Sequence, residues 1–156
     1  MQVTIYSRNE LKQILQEETP KNVALIRFFD SEMSEEEKRI QNFSTENNDV
    51  FEIELDDMDR DELDELGIPE EVFFPEAKEL ARFIYRAYEK NWDIICQCEY
   101  GQSRSAACAA AILEHFYKNG ISIFRDYRYF PNKLIFNKMM EALEECCENT
   151  RDKRTL

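Results

Sequence analysis

A cysteine and an arginine separated by five residues stand in the run Cys98-Glu99-Tyr100-Gly101-Gln102-Ser103-Arg104-Ser105. The apolar run Trp92 to Cys96 precedes it and an alanine-rich run follows, which reads as strand, tight loop and helix with a thiol at the loop's mouth. Such a turn offers successive backbone N–H groups, and the start of the next helix adds its positive dipole end, so the loop is suited to an anion. The same field favours a thiolate and makes the sulfur a nucleophile near neutral pH. An arginine at the loop's end can clamp two oxygens of a phosphoryl group with its planar fork. Gly101 falls where a tight loop needs freedom in φ, Ser103 can hydrogen-bond loop backbone, and Ser105 follows at once. A lone cysteine at a strand end is most often a buried structural thiol. The joint pattern points instead to attack on phosphate.

The rest of the chain must hold that loop. Val3 to Tyr6 reads as a short strand, and Ser7 with Glu10 forms a capping box for a helix with Leu11, Ile14 and Leu15 on its apolar side. Thr19-Pro20 ends that helix, and Asn22 to Phe29 is apolar enough for a central strand. Asp30 to Asp49 is acidic, with one possible helix from Ser34 through Phe43. Val50 to Leu55 alternates as a strand does, and Asp56 to Pro69 reads as an acidic excursion outside the core. Phe74-Pro75 opens a helix with Ala77, Leu80, Ala81, Ile84 and Ala87 on one face. Asp93 to Gln97 is the strand before the loop, and Ser103 to Lys118 is the helix after it, stopped by Asn119-Gly120. Pro131-Asn132 starts a last helix with Leu134, Ile135, Met139, Met140 and Leu143 inside. Strands alternating with helices predict a single α/β domain, with a parallel-rich central sheet covered by helices on both faces. The domain is expected over residues 1–149, with 150–156 a frayed tail.

Composition narrows the function classes. A formal net charge of −13 argues against nucleic acid or an anionic membrane as partner. No apolar run approaches a membrane span, and the N-terminus lacks a signal pattern, which reads as cytoplasmic. Five cysteines in no framework spacing suit a reducing compartment, and one histidine with scattered cysteines does not make a zinc site. No cofactor or metal is called for.

The run Cys98 to Ser105 resembles the phosphate loop of the cysteine-based protein tyrosine phosphatases, Cys-x5-Arg-Ser/Thr. Its Gly-x-Ser-Arg-Ser ending is closest to the small dual-specificity branch and to compact bacterial or phage-type relatives, and the resemblance extends over Val50 to Lys118. It implies a tyrosine-phosphatase-like fold, Cys98 as the nucleophile that becomes a phosphocysteine, and Arg104 on the phosphoryl oxygens. It further implies a cradle of backbone N–H groups from Glu99, Tyr100, Gly101, Gln102, Ser103 and Arg104, with the Ser105 hydroxyl beside the sulfur. The family also uses an upstream aspartate as general acid. Asp57 is favoured because Leu55-Asp56-Asp57-Met58 resembles the motif of the compact relatives, with Asp56, Asp59, Asp61 and Asp64 crowding the same stretch.

Two positions depart from the family pattern. Gln97 replaces the usual histidine before the cysteine and brings no charge to the thiolate. Tyr100 replaces a small residue and can pack beneath the loop or narrow its mouth. The expected activity is hydrolysis of phosphomonoesters, phosphotyrosine in protein or peptide foremost. Alternatives are a phosphotyrosine-binding pseudophosphatase without turnover, and a rhodanese-like sulfur carrier. His115 reads as a packing or surface residue and the vicinal Cys146-Cys147 as helix packing, while a protective Cys96–Cys98 disulfide ranks low because strand geometry places their Cα atoms near the upper limit for bridging. Arg125 and Arg128 stand either at the site's rim or on plain surface.

Overall fold

A computed structural model describes residues 1–154, with side chains as far as residue 149. In chain order it has β1 (Val3–Ser7), α1 (Arg8–Glu17), β2 (Val23–Phe29), α2 (Glu35–Lys38), β3 (Asn48–Glu54) and α3 (Arg60–Glu65). A 3-10 turn (Glu70–Val72) follows, then α4 (Ala77–Glu89), β4 (Asp93–Cys98), α5 (Arg104–Tyr117), α6 (Ile121–Phe124) and α7 (Lys133–Arg154). The strands form one parallel sheet in the order β1-β4-β2-β3, so the architecture is the single α/β domain expected. β2, buried at every position, lies inside the sheet as its unbroken apolar run requires. β4 sits between β1 and β2, and the strand that ends in Cys98 is therefore held on both edges.

Alternation along the strands sorts the core into two layers. Leu11 and Leu15 of α1 cover Val23, Leu25 and Ile95 on one face. On the other, α3, α4, α5 and α7 bury Ala24, Ile26, Phe28, Ile94 and Cys96. The alanines of α5 (106, 107, 109, 110 and 111) are fully buried, and their short side chains let this helix lie close to β1 and β4. The capping box expected at Ser7 forms, and Ser34 and Asp59 start α2 and α3 in the same way.

Several expectations are corrected. The stretch Asp56 to Pro69 does contribute to the core: Asp59 and Glu62 cap α3, which places Leu63 at 1% exposure. The helix sought over Ser34 to Phe43 is a single turn, because Arg39 returns to extended backbone while Ile40 and Phe43 pack against the α1 layer. Helix α4 starts at Ala77 rather than at Pro75. Phe74 before it takes φ 60, a left-handed conformation offset by burial of its ring edge-on to Phe28 at 6.1 Å. Lys118 provides the left-handed end of α5, whereas Gly120 serves close approach: a Cβ there would stand 2.6 Å from the Ala110 carbonyl oxygen. The backbone of α7 continues through the expected tail as far as Arg154, and residues 155 and 156 lie outside those described.

Candidate active site

The C-terminal end of β4 delivers Cys98 into the turn that α5 closes, at the edge of the sheet where parallel folds place their ligands. Gly101 makes the turn possible. It has φ +64, and a Cβ on it would lie 2.5 Å from the Ser7 backbone nitrogen, so only glycine lets the loop pass this close to β1. Arg8 secures the other side, donating its backbone N–H to the Glu99 carbonyl at 3.2 Å and pairing its Nε with the Glu99 carboxylate at 3.0 Å.

Inside this frame the backbone N–H groups of Glu99, Tyr100, Gly101, Gln102 and Ser103 donate to no acceptor among the described residues. Ser103 occupies the N-cap of α5 yet makes no side-chain cap. Its hydroxyl, expected to bond the loop backbone, instead donates to Asp57 Oδ1 at 2.8 Å. Unsatisfied donors in succession at a helix start form an anion cradle. Cys98 Sγ lies 3.0 Å from Ser105 Oγ, with both residues buried.

Arg104 is 3% exposed and held from one side only. Its Nη1 pairs with Asp30 Oδ1 at 2.7 Å and donates to the Leu55 carbonyl at 2.8 Å. Nε is buried without a partner, and Nη2 makes no hydrogen bond among the described residues. These two nitrogens are the edge of the guanidinium that grips an oxyanion in bidentate fashion. A buried fork with that edge unfilled is costly unless an anion completes it.

The two neighbouring aspartates are used differently. Asp56 accepts from the Ser31 backbone N–H at 2.8 Å and from its hydroxyl at 2.7 Å. These bonds, the backbone one foremost, hold its carboxyl below the ordinary carboxylate range against its partial burial. Asp57 is exposed, and its Oδ1 accepts from both Ser103 Oγ and Asn132 Nδ2 at 2.8 Å. No hydrogen bond engages Oδ2 among the described residues. Asn132 also donates to the Met58 carbonyl and caps α7 at Ile135, so the start of α7 fixes the aspartate loop. Asp59 caps α3, while Asp61 and Asp64 lie exposed on that helix.

Gln97 is buried, with its Oε1 accepting from Arg27 Nε at 3.0 Å. The position before Cys98 thus has a guanidinium beside it, although its own side chain is neutral. Tyr100 is 76% exposed, so it stands at the rim and not beneath the loop. Arg128 folds back on Asp126, whose carboxyl that contact holds down to about 2. His115 bonds Tyr85 at 2.6 Å beside the core, as a packing residue would. All five cysteines are free; the thiol of Cys108, then burial, push the Cys96 thiol well up. Sequence reasoning missed Asp30, Asn132 and Arg27. The first two lie at the ends of expected elements, where site residues concentrate, and that was the available signal.

No family model matches the sequence, nor does any curated protein. Solved structures do share the fold. PTPMT1 superposes with a TM-score of 0.56 at 16% identity, covering 97% of this chain and 95% of that one, and it has also been solved in complex with PI(5)P. The PTP-2 phosphatase of Cydia pomonella gives a TM-score of 0.57 at 10% identity over 90% and 85% of the two chains. Human DUSP28 gives 0.54 at 10% identity over 94% of each. The chain has the fold of the cysteine-based tyrosine and dual-specificity phosphatases.

Proposed function

We propose that the chain hydrolyses phosphomonoesters on proteins or peptides, phosphotyrosine foremost, through a covalent phosphocysteine. The observation that carries this reading is the buried Arg104 fork, with Nε and Nη2 unfilled beside a loop of unpaired N–H groups. A phosphomonoester is a tetrahedral dianion, and two of its terminal oxygens match that fork. In the first step Cys98 Sγ attacks phosphorus while the bond to the ester oxygen breaks. Asp57, steadied through Oδ1, donates a proton from Oδ2 to the departing oxygen. In the second step the Asp57 carboxylate takes a proton from water, the water oxygen attacks phosphorus, and the S–P bond breaks. The Ser105 hydroxyl, 3.0 Å away, donates to the thiolate as it leaves. Arg104 and the loop N–H groups stabilise the equatorial oxygens throughout.

The mouth supports a protein substrate over a polyanionic one. One depression beside the loop is lined by Asp30, Glu32, Glu37, Asp56 and Glu99 against a single cation, Arg8, and another by Asp57, Asp59, Asp61 and Glu62 against Arg60 and Lys133, so carboxylates outnumber cations in both. A second phosphate on an inositol ring would meet carboxylates there, in contrast to the PI(5)P bound by PTPMT1.

Turnover of p-nitrophenyl phosphate and of a phosphopeptide panel tests the proposal. Wild type should turn over, and Cys98→Ser should retain phosphopeptide binding with no hydrolysis. Asp57→Asn should lose roughly 10²–10³-fold on phosphoserine peptides and much less on p-nitrophenyl phosphate, whose leaving group needs little protonation. Wild type no faster than Cys98→Ser, with both binding, would leave a binding module. Persulfide transfer from thiosulfate without hydrolysis would favour the sulfur-carrier alternative.

A further inference from the structure

On the α1 face of the sheet, next to the depression beside the loop with which it shares Arg8 and Glu37, α1 and the segment 36–42 enclose a cleft of about 520 Å3. That volume lies within the roughly 300–1,000 Å3 typical of small-molecule sites. At its base are Arg27 and Gln97, exposed by only 2% and 1%. Arg27 Nε is used by Gln97, and Nη1 by Glu52 at 2.8 Å and the Lys38 carbonyl at 2.7 Å. Nη2 of this buried guanidinium makes no hydrogen bond among the described residues. Lys12 and Arg39 also line the cleft, and neither has an ion-pair partner among the described residues. In a chain of net charge −13, unpaired cations converging on one cleft are conspicuous. Of the two carboxylates in the lining, Glu37 is occupied by capping α2 through the Ser34 backbone N–H and hydroxyl. The other carboxylate, Glu36, is exposed, and the rest of the wall sets Leu11, Leu15 and Ile40 among the neutral polar side chains of Gln16, Gln41 and Asn42.

We propose that this cleft is a second binding site, for a small amphipathic monoanion with a carboxylate-type head and a single apolar body. The head takes Arg27 Nη2, the nitrogen of this guanidinium left without a hydrogen bond among the described residues, with Lys12 and Arg39 neutralising it from the rim. The apolar body lies against the part-exposed Ile40, above the already buried Leu11 and Leu15, and removes the apolar surface left there from water. The site is distinct from the catalytic loop but touches it through Gln97, the residue before Cys98, and through Arg8, which pairs with Glu99.

Titration calorimetry of the full chain with laurate tests the site, with saturating inorganic phosphate present to occupy the catalytic loop. Dodecyltrimethylammonium is the charge-reversed control. One laurate should bind per chain, and Lys12→Glu with Arg39→Glu should weaken it at least tenfold. The double variant should keep the wild-type melting temperature and, without laurate, the wild-type turnover of p-nitrophenyl phosphate. Both substitutions are on exposed side chains, so the comparison does not depend on the buried Arg27 tolerating change. No saturable binding, equal affinity in the double variant, equal affinity for the cationic surfactant, or displacement of laurate by phosphate would each overturn the proposal. Because the catalytic loop is filled, these outcomes are independent of whether the chain hydrolyses phosphate.

Discussion

At the scale of single residues, the arginine of the loop is only as useful as its orientation. Asp30 and the Leu55 carbonyl hold Nη1 and thereby turn the Nε/Nη2 edge of Arg104 towards the cradle. Asp30→Asn removes the ion pair while leaving a polar group in place. Turnover of p-nitrophenyl phosphate should then fall about 10-fold, on the order of 1.4 kcal/mol in the barrier. Inorganic phosphate should inhibit less strongly, at an unchanged melting temperature. A role confined to folding would lower the melting temperature and leave phosphate inhibition intact. Arg104→Lys should lose far more, because an ammonium presents no planar fork. Cys98, Arg104 and Ser105 were legible in the chain because their spacing is local. Asp30 and Asn132 were not: their partners lie 74 and 75 positions away, and nothing in local spacing announces such a contact. Asp57 falls between, since its place after a strand was readable while the donors that single out its Oδ1 were not.

At the scale of elements, the loop is a joint between β1, β4 and α5, and Gly101 is where they touch. Gly101→Ala would force a Cβ against the Ser7 backbone at 2.5 Å in a left-handed conformation. Thermal unfolding should show a loss of about 2 kcal/mol, roughly 4–8 °C for a chain of this size, together with loss of phosphate binding. A variant with wild-type stability and activity would mean that β1 yields freely. The elements themselves were largely readable, since hydrophobic period marks strands and long helices. The failures are instructive about cause. Helix α3 was hidden because one turn and a half offers a single buried anchor, Leu63, among acids. The helix expected from Ser34 through Phe43 is too long because local sequence does not show that Arg27 claims the Lys38 carbonyl where the helix ends.

For the whole molecule, the tension is between a net charge of −13 and a site built for anions. The two act at different ranges: the cradle works at contact, whereas the overall field reaches about a Debye length, some 10 Å at 0.1 M salt. Raising ionic strength from 20 to 200 mM should therefore increase kcat/KM severalfold for p-nitrophenyl phosphate and decrease it for a phosphopeptide flanked by arginines. Parallel responses to salt for the two substrates would show that the acidic rim has no part in capture. The strand order carries a consequence of another kind, for the chain as it is made. β1 and β2 emerge early but are not neighbours; the place between them belongs to β4, which ends 69 residues after β2. At ribosomal speeds that gap stands open for roughly 3–14 s. The last strand to arrive bears Cys98 at its tip, so closure of the sheet and placement of that sulfur at the start of α5 are one event.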